Sequence, residues 1–112
     1  MNILEKVHKD GLIFDGAMGS ILISKGIMGE EAPELWNLKH PDIIMEIHRA
    51  YYDAGSDVAS ANTYGASAIK LKKMGVTQSV EEVNRRGVQL ASKACGKSQY
   101  VAGELGSLDD ML

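Results

Sequence analysis

The chain has 112 residues, 45% of them hydrophobic and 24% charged, with a formal net charge of −3. That length suits one domain, and mild acidity without clustered Lys and Arg excludes the electrostatic footprint of a nucleic-acid binder. No apolar run approaches the roughly 18 to 20 residues of a membrane-spanning helix, and Met1 to Lys6 lack the charged-then-apolar layout of a secretory leader, so a cytoplasmic protein is expected.

The first predicted element is a strand, Gly11-Leu12-Ile13-Phe14, followed by a short helix over 17–25. Lys25 to Pro33 reads as an ordered but irregular loop. A helix over 41–54 is the clearest element. Pro41 takes the first helical position, where its missing N–H is harmless, and Asp42 meets the positive end of the helix dipole. Ile43, Ile44, Ile47, Ala50, Tyr51 and Ala54 form one apolar stripe, and Gly55 supplies a left-handed cap.

A second strand, 57–61, is short and apolar enough to be covered on both faces. A short helix over 66–74 and a longer one over 80–95 come next. Ser79-Val80-Glu81-Glu82 is a capping box, in which the Ser hydroxyl and the Glu carboxylate can each satisfy a free backbone donor. Val80, Val83, Gly87, Val88, Ala91, Ala94 and Cys95 give the helix its apolar stripe, and Gly96 stops it. The last predicted strand is 99–103.

Cys95 is the one cysteine, so an intrachain disulfide and a cysteine metal cluster are both excluded. On the stripe of its helix it reads as a small buried hydrophobe. His8, His40 and His48 lack ligand-like spacing, and the sequence contains no complete metal site.

The β-α-β-α-β order, with strands recurring roughly every 45 residues, implies a parallel sheet with right-handed crossovers. A doubly wound sheet and a (β/α)₈ barrel both fit, the long repeat being ordinary for a barrel with elaborated loops. Three strands would be the first three of such a barrel. They do not close one, so the chain is expected to be an incomplete N-terminal part of a domain.

In either architecture ligands bind at the carboxyl ends of the strands, where the unusual residues of this sequence gather. Strand one ends in Asp15-Gly16-Ala17-Met18-Gly19-Ser20, strand two in Asn62-Thr63-Tyr64-Gly65-Ala66-Ser67 and strand three in Gly103-Glu104-Leu105-Gly106-Ser107. Asp15 either faces a ligand or caps the short helix after it. Asn62 and Thr63 either line a site or stabilise their own turn. Glu104 is a rim carboxylate, in the site or beside it. The first turn lacks the three glycines of a dinucleotide fingerprint, and no Gly-Lys-Ser/Thr marks a phosphate loop. Trp36 is expected to pack against the sheet wall rather than to stack on a ligand.

Asp-Gly-Ala-Met-Gly-Ser (15–20), Glu-Leu-Trp-Asn-Leu (34–38), His-Pro-Asp (40–42), Ile-His-Arg-Ala-Tyr (47–51), Asp-Ala-Gly-Ser-Asp (53–57) and Asn-Thr-Tyr-Gly-Ala (62–66) occur in this order. Asn84 within 82–88 and Val-Ala-Gly (101–103) continue the pattern. Together they resemble the homocysteine S-methyltransferases, a family that includes the homocysteine-binding module of cobalamin-dependent methionine synthase and the betaine–homocysteine methyltransferases. The resemblance spans about residues 11–106.

It implies a (β/α)₈ barrel that binds homocysteine at its rim and activates the sulfur on zinc, since a thiol is a poor nucleophile until deprotonated. By the resemblance, Asp15, Gly16 and Ala17 hold the amino-acid end of homocysteine, and Asn62 and Thr63 lie near the metal. The family's three zinc cysteines come from later strands and have no counterpart here, so this stretch alone is expected to lack activity. The methyl donor, a corrinoid, a folate or an onium compound, is not written in these residues.

Two departures matter. Glu104 stands where the family usually has Asp or Ser, and Gly65 replaces an aromatic residue of the betaine-dependent branch, which favours the cobalamin-linked or other bacterial-type branches. The expected partners are homocysteine and the remainder of the barrel, or further copies joined through open sheet edges. A non-catalytic assembly piece, or half of a split barrel, is the alternative function. An unrelated small-molecule-binding α/β domain is the third.

Overall fold

The computed structural model describes residues 2–27 and 31–106. Ser107, the last residue of the third turn, lies outside them, as does part of the loop expected over 25–33. The elements run α1 (Ile3–Lys9), α2 (Gly19–Ser24), a 3₁₀ turn (Pro33–Leu35), α3 (Trp36–Lys39), α4 (Pro41–Asp53), β1 (Val58–Ser60), α5 (Ala68–Lys73), α6 (Val80–Ala94) and β2 (Tyr100–Ala102).

This is an α/β structure with a small parallel sheet. Strands β1 and β2 pair in the register Val58↔Tyr100, Ala59↔Val101 and Ser60↔Ala102. The expected first strand contracts to one residue, Phe14, which bridges Val58 in parallel on the other side. Two aspartates explain the contraction. A parallel ladder would continue from Ser60 N–H to the Asp15 carbonyl, but the Asp15 carboxylate takes that N–H instead, at 3.1 Å from each oxygen. At the other end, Ile13 N–H donates to the Asp57 carboxylate at 2.8 Å. Side chains thus replace main-chain acceptors on both sides of Phe14, and the chain turns away.

Helix α4 begins at Pro41 as expected and ends in a Schellman motif. The N–H of Ser56 donates to Tyr51 O and that of Gly55 to Tyr52 O, with Gly55 at φ +114°. Its buried residues are Ile44, Ile47, His48 and Tyr52. Ala50 and Ala54, assigned to the stripe from the sequence, are exposed. The face is turned because Tyr52 and His48 bury far more surface than two alanines can. The Tyr52 hydroxyl donates to the Tyr100 carbonyl at 2.6 Å and ties α4 to β2.

Helix α6 shows half of its capping box. Ser79 Oγ accepts from Glu82 N at 3.0 Å, while the Glu82 carboxylate pairs with Arg85 rather than reaching back. Its buried residues are Val83, Gly87, Leu90 and Ala91. Val80 and Val88 point outward instead, Leu90 taking the inward place. Cys95 is half-buried and follows the helix in an extended conformation, so it is not the buried stripe residue expected. The helix stops there without a left-handed glycine, and Gly96 N–H bonds the Gln99 side chain. Leu22, Ile27, Trp36, Ile44, Ile47 and Leu90 form the main core between α4 and α6, and Ala66, Leu71 and Val83 a smaller one. Trp36 packs in that core, 5% exposed.

Helix α1 and the turn-and-helix pair at 33–39 carry no long apolar period and were not expected from the sequence. Asn2 caps α1 through a 2.9 Å bond from Glu5 N. Among the described residues no helix is long and apolar enough to cross a membrane.

Candidate functional site

The three turns expected to share a rim do so. Residues 15–19, 33–34, 60–62, 64 and 104 line a cavity of about 350 Å³ at the carboxyl ends of β1, β2 and the Phe14 bridge. Of the site residues read from the sequence, Asp15, Gly16, Ala17, Asn62 and Glu104 line it and Thr63 does not.

Asp15 is not the cap of α2. The residue before that helix is Met18, and no side chain caps it. The Asp15 carboxylate joins the first turn to the end of β1 through Ser60 N–H, which fixes its direction toward the cavity. Behind the turn, the Tyr51 hydroxyl donates to the Ala17 carbonyl at 2.7 Å. Gly16 leaves room for that phenol, since a Cβ there would lie 2.9 Å from the hydroxyl. No hydrogen bond from the backbone N–H groups of residues 16–18 occurs among the described residues.

Asn62 and Thr63 are 6% and 5% exposed, and their side chains are committed to the protein. Asn62 Nδ2 donates to Pro33 O and to Asn37 Oδ1, both at 3.0 Å. Thr63 Oγ1 donates to Glu104 O at 2.9 Å and accepts from Glu104 N at 3.0 Å, binding the second turn to the third. These two residues build the rim. The Glu104 side chain is exposed at the mouth.

Sequence reading missed Glu34, which is buried in the wall at 8% exposure, and Tyr64, half exposed at the edge. A carboxylate beside Leu35 and Trp36, both inward-facing, was the available signal for Glu34. Among the described residues the lining carries three carboxyl groups and no Lys, Arg or His. Lys70 Nζ lies 5.5 Å from the Tyr64 ring centroid, outside the lining.

Beneath the rim, His48 is fully buried on α4, and neither ring nitrogen has a hydrogen-bond partner among the described residues. Burial lowers its pKa below the ordinary histidine value, opposed in part by the charge of Asp15. The residues around the cavity do not fit zinc, which favours nitrogen and sulfur donors in a tight tetrahedron. The described lining offers oxygen donors but no His or Cys, and no cluster of three His, Cys, Asp or Glu residues able to hold a metal occurs among the described residues. Cys95 sits between α6 and the start of β2, at the end of the strand away from the rim.

The sequence profile of the homocysteine S-methyltransferases matches residues 12–112. The chain belongs to that family. Methionine synthases of Mycobacterium leprae and Mycobacterium tuberculosis are 27% and 28% identical to it over 94% and 96% of its length. The chain spans only 10% and 9% of those two proteins. The homocysteine methyltransferase MmuM of Escherichia coli superposes in its metallated form with a TM-score of 0.80 at 24% identity, and in its oxidized form with 0.72 at 28%. Each superposition covers 95% of this chain and 41% of MmuM.

Proposed function

We propose that this family member forms the amino-acid-binding part of the rim of a (β/α)₈ barrel that methylates homocysteine. The observation that carries the reading is the presence, along one cavity, of an oriented Asp15 carboxylate and of residues 16–18, whose backbone N–H groups make no hydrogen bond among the described residues. A carboxylate takes the ammonium end of an amino acid, and a run of free N–H groups takes its carboxylate. Glu104 at the mouth completes the acidic side.

Zinc, which the family resemblance implies for thiolate formation, needs donors other than those facing this cavity. Ile13 and Phe14 are 64% and 53% exposed beside the Phe14 bridge, where no further strand pairs with the small sheet among the described residues. This supports further strands, from the same polypeptide or a partner, as the source of the remaining wall and of the metal ligands. A corrinoid, a folate or an onium donor would approach from the open side.

Calorimetric titration of the purified protein with L-homocysteine tests the reading. Saturable binding that weakens about tenfold or more in Asp15→Asn is expected. Absence of binding, both for this chain and after co-expression with the strands that would complete the barrel, would refute it.

A further inference from the structure

The geometry points to Glu34 as a second cation-binding residue of the cavity, one that holds a compact organic cation and is assigned by neither the family resemblance nor the sequence motifs. The inference rests on the amino-acid-binding reading only for the identity of that cation.

Glu34 differs from every other carboxylate at the rim. Asp15 is partnered by Ser60 N–H, and Glu104 is exposed to water. Glu34 is more than nine-tenths buried and faces the cavity, and its carboxylate makes no hydrogen bond or ion pair among the described residues. Its oxygens stay open to the cavity rather than sealed in the protein, so a partner must come from what enters the cavity. The local structure turns it inward. Leu35 and Trp36 are buried on either side of the 3₁₀-to-α3 junction, and Asn62 Nδ2 holds the Pro33 carbonyl.

The second turn makes space for it. A Cβ on Gly65 would lie 2.8 Å from Glu34 Oε1 and 3.3 Å from Oε2. Gly65 is therefore the notch in which this carboxylate sits. The glycine that the sequence shows in place of an aromatic side chain thus has a steric consequence on the opposite wall.

The missing partner is a cation supplied by the ligand. Among the described residues no basic side chain lines the cavity, and Lys70 lies over the Tyr64 ring rather than on Glu34. A metal ion is disfavoured because no three acidic, His or Cys side chains converge closely enough among the described residues. A cavity of about 350 Å³ with carboxylates on separate walls suits a larger, diffuse charge. Two sources share this chemistry: the ammonium group of an amino-acid thiol, or the onium group of a methyl donor.

Calorimetric titrations of the purified protein and its Glu34→Gln variant separate them with three probes. These are L-homocysteine, 4-mercaptobutyrate (the same thiol acid without the amine) and tetramethylammonium. Weakening of homocysteine by about tenfold or more, with 4-mercaptobutyrate unchanged, supports the proposal and identifies the ammonium. A loss confined to tetramethylammonium supports it and identifies the onium. Equal affinities for every probe in both proteins, or parallel loss of homocysteine and 4-mercaptobutyrate, would overturn it.

Gly65→Ala is the second variant, because its methyl group displaces the Glu34 carboxylate while leaving the charge in place. It should reproduce the Glu34→Gln selectivity, and normal cation affinity in this variant would count against the notch. If the unaltered protein binds tetramethylammonium through Glu34 but not homocysteine, the amino-acid reading fails and the cation site stands. If it binds neither cation, the Glu34 site fails. If Asp15→Asn weakens homocysteine and Glu34→Gln does not affect any probe, only the Glu34 proposal is lost.

Discussion

Asn37 and Asn62 hold each other by two bonds in opposite directions. Asn62 Nδ2 donates to Asn37 Oδ1 at 3.0 Å, and Asn37 Nδ2 donates to the Asn62 carbonyl at 2.9 Å. Asn37 Nδ2 also reaches Val83 O at 3.1 Å, so one fully buried amide joins α3, the second rim turn and α6. The rim is therefore tied by buried hydrogen bonds to the core beneath it, an arrangement that favours tight positioning of a ligand.

Replacing Asn37 by Leu keeps the volume and removes all three bonds. The Asn62 carbonyl loses its donor in a buried setting, at roughly 1–3 kcal/mol, while Asn62 Nδ2 keeps the Pro33 carbonyl and Val83 O keeps its place in the α6 ladder. Urea unfolding should show a loss of about 1–3 kcal/mol. A change below about 0.5 kcal/mol would mean that water replaces the amide and that the rim is not held in this way.

A methyl group at position 87 should be resisted for a related reason. Gly87 lies on the buried face of α6, and a Cβ there would lie 2.8 Å from Thr63 Cγ2 and 2.9 Å from Asn37 Nδ2. Alanine gains about 1 kcal/mol of helix propensity over glycine, while overpacking at such distances costs about 1–3 kcal/mol. Gly87→Ala is expected to be neutral to destabilising by about 2 kcal/mol, with the second rim turn pushed outward. A gain in denaturation midpoint would show that α6 has slack against the rim.

The two long helices, the parallel order and the shared rim were legible because they rest on local signals. Pro41 and Gly55 mark the ends of α4, Ser79 marks the start of α6, and the polar-glycine turns repeat after each strand. The length of strand one was not legible, because it depends on Asp15 and Asp57 capturing N–H groups 45 and 44 residues away. Periodicity also placed Val88 and Ala50 inside, where tertiary packing chose Leu90 and His48. Glu34 escaped notice because its burial depends on the absence of a side chain at Gly65, a contact between two segments that no spacing rule connects.

Asp15 joins fold and ligand, and two substitutions separate these roles. Asp15→Asn retains an oxygen for Ser60 N–H and so should keep the turn, losing only the negative charge offered to the cavity. Asp15→Ala removes both, leaving Ser60 N–H without its acceptor at a cost of about 1 kcal/mol in this partly exposed position. Thermal unfolding should rank the alanine variant below the asparagine variant, with both far weaker than the parent for homocysteine. Equal homocysteine affinity in the parent and Asp15→Asn would remove the carboxylate from the site.

His48 gives the fold a sensitivity to acid. Its ring is fully buried without a hydrogen-bond partner among the described residues, and burial lowers its pKa in the folded chain, the charge of Asp15 offsetting part of that effect. In the unfolded chain the same imidazole titrates near its ordinary value of about 6.5. Below that pH the unfolded state binds the proton more readily, so stability is retained above about 6.5 and falls as pH drops toward the lowered folded value. Each pH unit within that window removes up to about 1.4 kcal/mol from this one group. His48→Leu fills the same buried position without a titrating group, and its urea midpoint should flatten across the interval in which the parent's declines. An unchanged pH slope in His48→Leu would assign the acid sensitivity to other groups.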